Sequence, residues 1–193
     1  MTKISRIVAM ASTLSVMGLA VVPVATYALN TEVQVDIQPD CSFTGGSATV
    51  LIKGGGTPAD LSPTNPYGET AGSAMSVICN DAWSVSEQIN TGHDVFLAQA
   101  VYSAGDPVIA AWSGGGTPNA FTANSWGAKY ASAKVVTGKD AYHAVPANGS
   151  ATDIASDSSV ANSVTITPTY GAKIDSLLPS GLYLTQVLYT LTH

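Results

Sequence analysis

Arginine is almost missing from this sequence. Arg6 is the one example, and beyond the first few positions the firm positive charges are Lys53, Lys129, Lys134, Lys139 and Lys173 alone. Against these five lysines stand thirteen acidic residues. Phosphate backbones are gripped by Arg and Lys, so this balance excludes nucleic acid as a partner. Histidine is scarce too: His93, His143 and His193 are scattered, the last at the terminus. A zinc site wants several His or Cys at fixed spacing, and no such spacing exists. No cofactor or metal is expected. Asp153, Ser156 and Asp157 lie close together, but in no EF-hand register.

Catalytic spacing is also lacking. His93 and Asp94 are adjacent, which on a strand sends them to opposite faces, and His93 beside Thr91-Gly92 reads as a turn residue. The nucleophile elbow G-x-S-x-G is absent. Glu69 and Glu87, the only glutamates besides Glu32, have nothing in the sequence to pair them as hydrolytic carboxylates. GGGTP occurs twice, at Gly54–Pro58 and Gly114–Pro118. A phosphate loop follows a buried strand, opens a helix and in its P-loop form ends in Lys-Ser/Thr; neither copy does. Both read as turn chemistry, with glycine supplying unusual backbone angles and proline ending a ladder.

Long apolar runs are confined to the start. Lys3 and Arg6 precede an apolar and small stretch from Ile7 to Val24, and Ala25-Thr26-Tyr27-Ala28 closes it with small residues. This is the three-part pattern of a secretory signal peptide over 1–28. An uncleaved anchor is the competing reading, since the run is near the spanning length of about 20 residues. Cleavage after Ala28 would leave 29–193 as a single domain with net charge −8, from its five lysines and thirteen acids, and no membrane span. The expected location is secreted or cell-surface. Two cysteines in an exported chain, Cys41 and Cys79, read as a disulfide, which would stabilise the fold by about 4 kcal/mol in the chain-entropy picture.

What the sequence does have is strand and turn chemistry: Thr, Val, Ser, Tyr and Gly in period-two runs. Val33, Val35 and Ile37 alternate with polar residues and lead to Asp40-Cys41 at the close of a first strand. Ala48, Val50 and Ile52 alternate, as do Met75, Val77 and Cys79, then Trp83 and Val85. Val160, Val164 and Ile166 share a face. Tyr183, Val187, Tyr189 and Leu191 form a last strand, with Leu182, Leu184 and Leu188 on its other side. Gly and Pro clusters such as Ser62–Gly68, Asn90–Gly92 and Pro146–Ser150 separate these runs. Asp94–Trp112 is read as strands, and Ala151–Ser159 as a loop or single helical turn. Many short strands broken by Gly and Pro predict an all-β fold, an antiparallel sandwich or a barrel. Trp83, Trp112 and Trp126 fit its core; Trp126, next to a turn, is the one most open to stack on a ligand, with Trp112 second.

Leu178-Pro179-Ser180-Gly181, followed by Leu182-Tyr183-Leu184-Thr185-Gln186-Val187-Leu188-Tyr189-Thr190-Leu191-Thr192, resembles the ending of secreted bacterial immunoglobulin-like β-sandwich proteins. Pilin-like and spore-coat-U-like subunits share it, and more distantly WxL-type surface proteins, where Tyr189-Thr190-Leu191 stands in place of Trp-x-Leu. The early Cys41 and Cys79 pair is similar to the pilin-like disulfide. The resemblance implies an immunoglobulin-like sandwich acting as a non-enzymatic surface or adhesive subunit through sheet edges and loops. Its partners would be further copies of itself, other surface proteins or glycans, with Val33, Val35 and Ile37 as the side chains of a donated strand. A carbohydrate-binding module using Trp126 or Trp112 is the second expectation, and a secreted hydrolase the last.

Overall fold

Alternation of apolar and polar side chains puts one face of each strand inside, and the longest runs set the frame of this fold. A computed structural model describes residues 38–46, 49–54, 59–62, 64–99, 103–112, 114–175 and 177–193. The expected signal over 1–28, and Val33, Val35 and Ile37, lie outside the described residues. The strands are β1 (Cys41–Gly45), β2 (Lys53–Gly54), β3 (Ala59–Asp60), β4 (Tyr67–Ala71), β5 (Met75–Cys79), β6 (Trp83–Ile89), β7 (Ala98–Gln99), β8 (Ala110–Ala111), β9 (Ser125–Ala131), β10 (Thr152–Asp157), β11 (Ala161–Lys173), β12 (Tyr183–Leu184) and β13 (Val187–Thr192). A single 3-10 turn, Pro118–Ala120, is the only helical element among the described residues. The all-β expectation holds.

Two sheets carry the fold. The larger has the order β1-β5-β11-β9-β8, with β4 also on β11; the smaller has the order β10-β6-β13. Among the described residues the strand pairings are antiparallel except β8 with β9. β11 is the spine of the larger sheet. Its first half pairs with β5, from Ala161↔Cys79 to Ile166↔Met75, and its second half with β4, from Thr169↔Ala71 to Lys173↔Tyr67. β4 and β5 are therefore two lengths of one interrupted strand along the same edge. The interruption at Gly72–Ala74 faces Pro168, which has no N–H to give to a ladder; Pro168 O still accepts from Gly72 N at 2.9 Å.

Inward positions of the two sheets meet in one core. β5 contributes Met75, Val77 and Cys79, β6 Trp83, Val85 and Ile89, β9 Trp126, Ala128 and Tyr130, β10 Ile154 and Ala155, and β11 Ile166 and Ala172. Each fully buried Val or Ile of this set contributes roughly 1.5–3 kcal/mol. Cys41 and Cys79 are register partners and form the expected disulfide. Cys41 opens β1 rather than closing a first strand. The residues before it are held by one side chain: Asn80 Oδ1 accepts from Asp40 N at 2.7 Å and Asn80 Nδ2 donates to Gln38 O at 3.0 Å.

Several readings change. Thr49–Ile52 is not in a strand, although Ile52 still packs on the core. Asp94–Trp112 supplies only β7, β8 and a Leu97↔Ile109 bridge among its described residues. Ala151–Ser159, read as a loop or single helical turn, contains β10. A register shift between Asp153 and Ala155 turns both Ile154 and Ala155 inward, so its alternation is broken at the informative place. Val160 lies outside β11 and is exposed. The final strand is split, because Thr185 Oγ1 donates to Asp94 O at 2.7 Å and β12 pairs with β7 while β13 pairs with β6.

β9 has no counterpart in the sequence reading. Its first four residues, Ser125 to Ala128, are all buried, so no alternation survives there. Trp126, Ala128 and Tyr130 face the core. On the opposite face Gly127 is register partner to Gly171, and the pair makes a floor for residues from two loops. A Cβ on Gly171 would lie 2.7 Å from Pro118 Cγ and 2.9 Å from the Tyr142 ring; one on Gly127 would lie 3.0 Å from His143 O. On that floor Trp112 stacks on Phe121 at 5.0 Å, and Phe121 meets Tyr142 edge-on at 5.2 Å. The second GGGTP copy serves this cap. Gly115 and Gly116 take φ of 68° and 80°, and Gly115 O accepts from Trp112 Nε1 at 2.8 Å.

Candidate functional site

Alternation along β6 sends Trp83, Val85, Glu87 and Ile89 inward together. A glutamate thus stands among core side chains with 0% exposure. A lone buried carboxylate is prohibitively costly, so the fold must bring partners to it. Three come from β9 and the segment after it. Tyr130 OH donates to Glu87 Oε2 at 2.6 Å. Lys139 Nζ donates to Oε1 at 2.6 Å and to Thr152 Oγ1 at 2.9 Å. His143 Nε2 lies 2.6 Å from the same Oε1. Lys139 and His143 keep 16% and 17% side-chain exposure, so the cluster touches solvent at these two side chains.

Backbone pairing delivers these side chains. Tyr130 N donates to Lys139 O at 2.8 Å, and Ala128 and His143 exchange both backbone bonds. The segment 139–143 therefore lies beside β9 on the side away from β11, beyond β8, and drops Lys139 and His143 over its edge toward β6. Tyr142, between them, points the other way. Its OH donates to Glu69 Oε2 at 2.6 Å, and Lys129 Nζ reaches the same oxygen at 3.1 Å while lying 4.6 Å above the Tyr142 ring. One short segment thus clasps both faces of β9.

The direction of the protons follows from the acceptors. Burial opposes ionisation of Glu87, but its bonds to His143, Lys139 and Tyr130 outweigh it and hold the carboxyl below its ordinary value. An ionised carboxylate only accepts. Tyr130 therefore donates to it, and the Tyr130 oxygen is left to accept from Tyr189 OH at 3.1 Å; Tyr189 in turn accepts from Tyr170 OH at 2.5 Å. Burial is the first cause that raises all three phenols, so they stay protonated and the chain Tyr170–Tyr189–Tyr130–Glu87 is ordered. The carbonyl of Ala141 faces His143 Nδ1 at 2.9 Å. Both ring nitrogens of His143 thus face oxygen atoms, Ala141 O and Glu87 Oε1.

Chemically this cluster binds its own parts together. A general acid or base must come within hydrogen-bond reach of a substrate proton, and Glu87 has no exposed surface. The network instead ties β6, β9, β11, β13 and the segment 139–143 to one carboxylate. Buried charge of this kind rewards one register and penalises any arrangement that leaves a member unpaired.

The residues singled out from sequence lie elsewhere. His93 sits in a turn, its N donating to Asn90 O at 3.1 Å, and Asp94 is exposed beside it. Trp126 does not offer a stacking face: it is 2% exposed, and its Nε1 donates to Val95 O at 2.9 Å. Trp112 is partly buried with one face on Phe121. Asp157 pairs with Lys134 at 2.6 Å, and the described residues hold no group of three His, Cys, Asp or Glu placed for a metal ion. Nor do they include a helix long and apolar enough to cross a membrane. A shallow groove of about 430 Å³ runs past Trp83, Ser84, Ser156, Asp157, Thr192 and His193.

Glu87 was legible in one respect. Its place in W-S-V-S-E-Q-I is on the apolar side of a period-two run, and an acid there demands partners. Nothing in the sequence named Lys139, His143 or Tyr130 as those partners, because they meet Glu87 only through the pairing of 139–143 with β9. Compared with family models, with curated proteins and with solved structures, the chain matches none.

Proposed function

We propose that this chain is an exported, non-enzymatic surface or adhesive subunit that works through a sheet edge. The observation that carries this reading is β13. It is the last strand in the order β10-β6-β13, and among the described residues nothing pairs with its outer side. Alternate residues along Val187–Thr192 thus turn their main-chain donors and acceptors outward, and Leu184 and Leu188 are exposed nearby. An open edge of this kind accepts an extended strand, with backbone bonds giving affinity and alternate side chains giving selectivity. Val33, Val35 and Ile37 of a neighbouring copy are the strand we assign to it. The disulfide, the sparse charge and the N-terminal apolar stretch support export.

The test is size-exclusion chromatography with light scattering on the 29–193 protein, beside a protein lacking Leu29–Pro39. Multimers that disappear on truncation and leave a folded monomer support strand donation. A 29–193 protein that is monomeric at every concentration overturns it.

A further inference from the structure

The chain contains a single Asn-Gly step, Asn148-Gly149, and the fold sets it in an exposed turn. Ser150 N donates to Ala147 O at 3.0 Å, closing a four-residue turn, and Gly149 takes φ of 80°. All four residues from Ala147 to Ser150 are exposed, and nothing lies within 4 Å of the point where a Gly149 Cβ would be. The turn has one tether from outside: Gly149 N donates to Gln88 Oε1 at 3.0 Å. Gln88 stands on the outer face of β6, next to Glu87.

We propose that Asn148-Gly149 is a site of spontaneous conversion to aspartate and isoaspartate, and that the Gln88 hydrogen bond slows it. The Gly149 amide nitrogen loses its proton to hydroxide and attacks Asn148 Cγ. The carboxamide nitrogen leaves as ammonia and a five-membered imide closes. Water then opens either C–N bond of the imide, giving aspartate or the isoaspartyl linkage. One water enters, one ammonia leaves, and nothing is oxidised or reduced. Glycine permits the attack because no side chain shields its nitrogen. The bond to Gln88 occupies the N–H that must be lost and holds that nitrogen toward β6.

Both ends of this turn are pinned to β6. Ile89 N donates to Pro146 O at 2.8 Å on one side, and Thr152 is register partner to Glu87 on the other. An isoaspartyl link adds a backbone carbon between these anchors, and either product puts a new carboxylate in the exposed turn. Conversion thus adds a negative charge to an already acidic chain at a fixed place, and strains the loop held to β6 at Pro146 and Thr152.

The experiment incubates the folded, disulfide-bonded protein in mildly alkaline buffer and follows the peptide containing residues 148–149 by mass spectrometry with isoaspartate detection. Wild type, Gln88→Ala, Gln88→Glu and Asn148→Ser are compared, with the urea-unfolded chain as reference. We expect conversion in wild type, acceleration of roughly fivefold in Gln88→Ala, the factor one ordinary hydrogen bond represents, and none in Asn148→Ser. Gln88→Glu, which keeps an acceptor, should stay near wild type. Conversion of the unfolded chain alone, with every folded form inert, overturns the proposal. So does a Gln88→Ala rate equal to that of wild type.

Discussion

Glu87 and Glu69 hold the same kinds of group at different depths. Each accepts from a tyrosine at 2.6 Å, Tyr130 for Glu87 and Tyr142 for Glu69, and each pairs with a lysine, Lys139 at 2.6 Å and Lys129 at 3.1 Å. Both sets flank β9. Yet Glu87 has no exposed surface while the Glu69 side chain is 48% exposed. Water can replace any partner that Glu69 loses, and salt screens it. Glu87 has no such substitute. The same chemistry is therefore a mild clip on one face of the strand and a structural requirement on the other.

The largest test of this contrast is Glu87→Ala. It leaves Lys139 and His143 facing an apolar gap, and removing one partner of a buried pair costs about 3–5 kcal/mol. Urea unfolding should show that loss. A change below roughly 1 kcal/mol, the level of an exposed pair, would erase the difference between the two sites. Gly171→Ala tests the outer cap by volume instead of charge. Its Cβ would press on Pro118 and Tyr142, and overpacking of this order costs about 1–3 kcal/mol; near-ultraviolet circular dichroism should report the disturbed aromatic group.

Acid should separate the glutamates next. Glu87 is held below its ordinary value of 4.5, so its contribution is complete above that value and is lost as pH falls through the lower folded value. Thermal melts from neutral pH downward should decline across that window in wild type and more gently in Glu87→Gln. Equal acid slopes would mean that Glu87 is not the group being protonated. The smallest effect belongs to Glu69→Gln, which should move stability by no more than about 1 kcal/mol. A larger loss would mean that the Tyr142 bond is better shielded than its exposure indicates.

The difference between the two faces also explains what could be read from sequence. β5 and β6 each have one face inside and one outside, so M-S-V-I-C and W-S-V-S-E-Q-I alternate and were readable. β9 is covered on both faces, by the core and by the aromatic cap, so S-W-G-A-K-Y-A carries no alternation. Gly127 and Gly171 then look like breakers when they are a packing surface. β10 hides its period behind a bulge. The disulfide needed only two cysteines and the expectation of export. The polar network needed knowledge that residues more than forty positions apart in sequence, such as Glu87 and Tyr130, face each other across the two sheets, and local pattern does not encode that pairing.

The disulfide and the Asn80 clamp have a mechanical consequence. β1 starts at Cys41 opposite Cys79, β6 starts at Trp83, and β13 ends with Thr192 opposite Ser84. The first described residues and the C-terminus therefore leave the fold at one pole. Tension between them pulls across the strands, not along them. β13 would then unzip from β6 at its Thr192 end, rung by rung, under low load, while the covalent link at Cys41 protects β1 from the same fate.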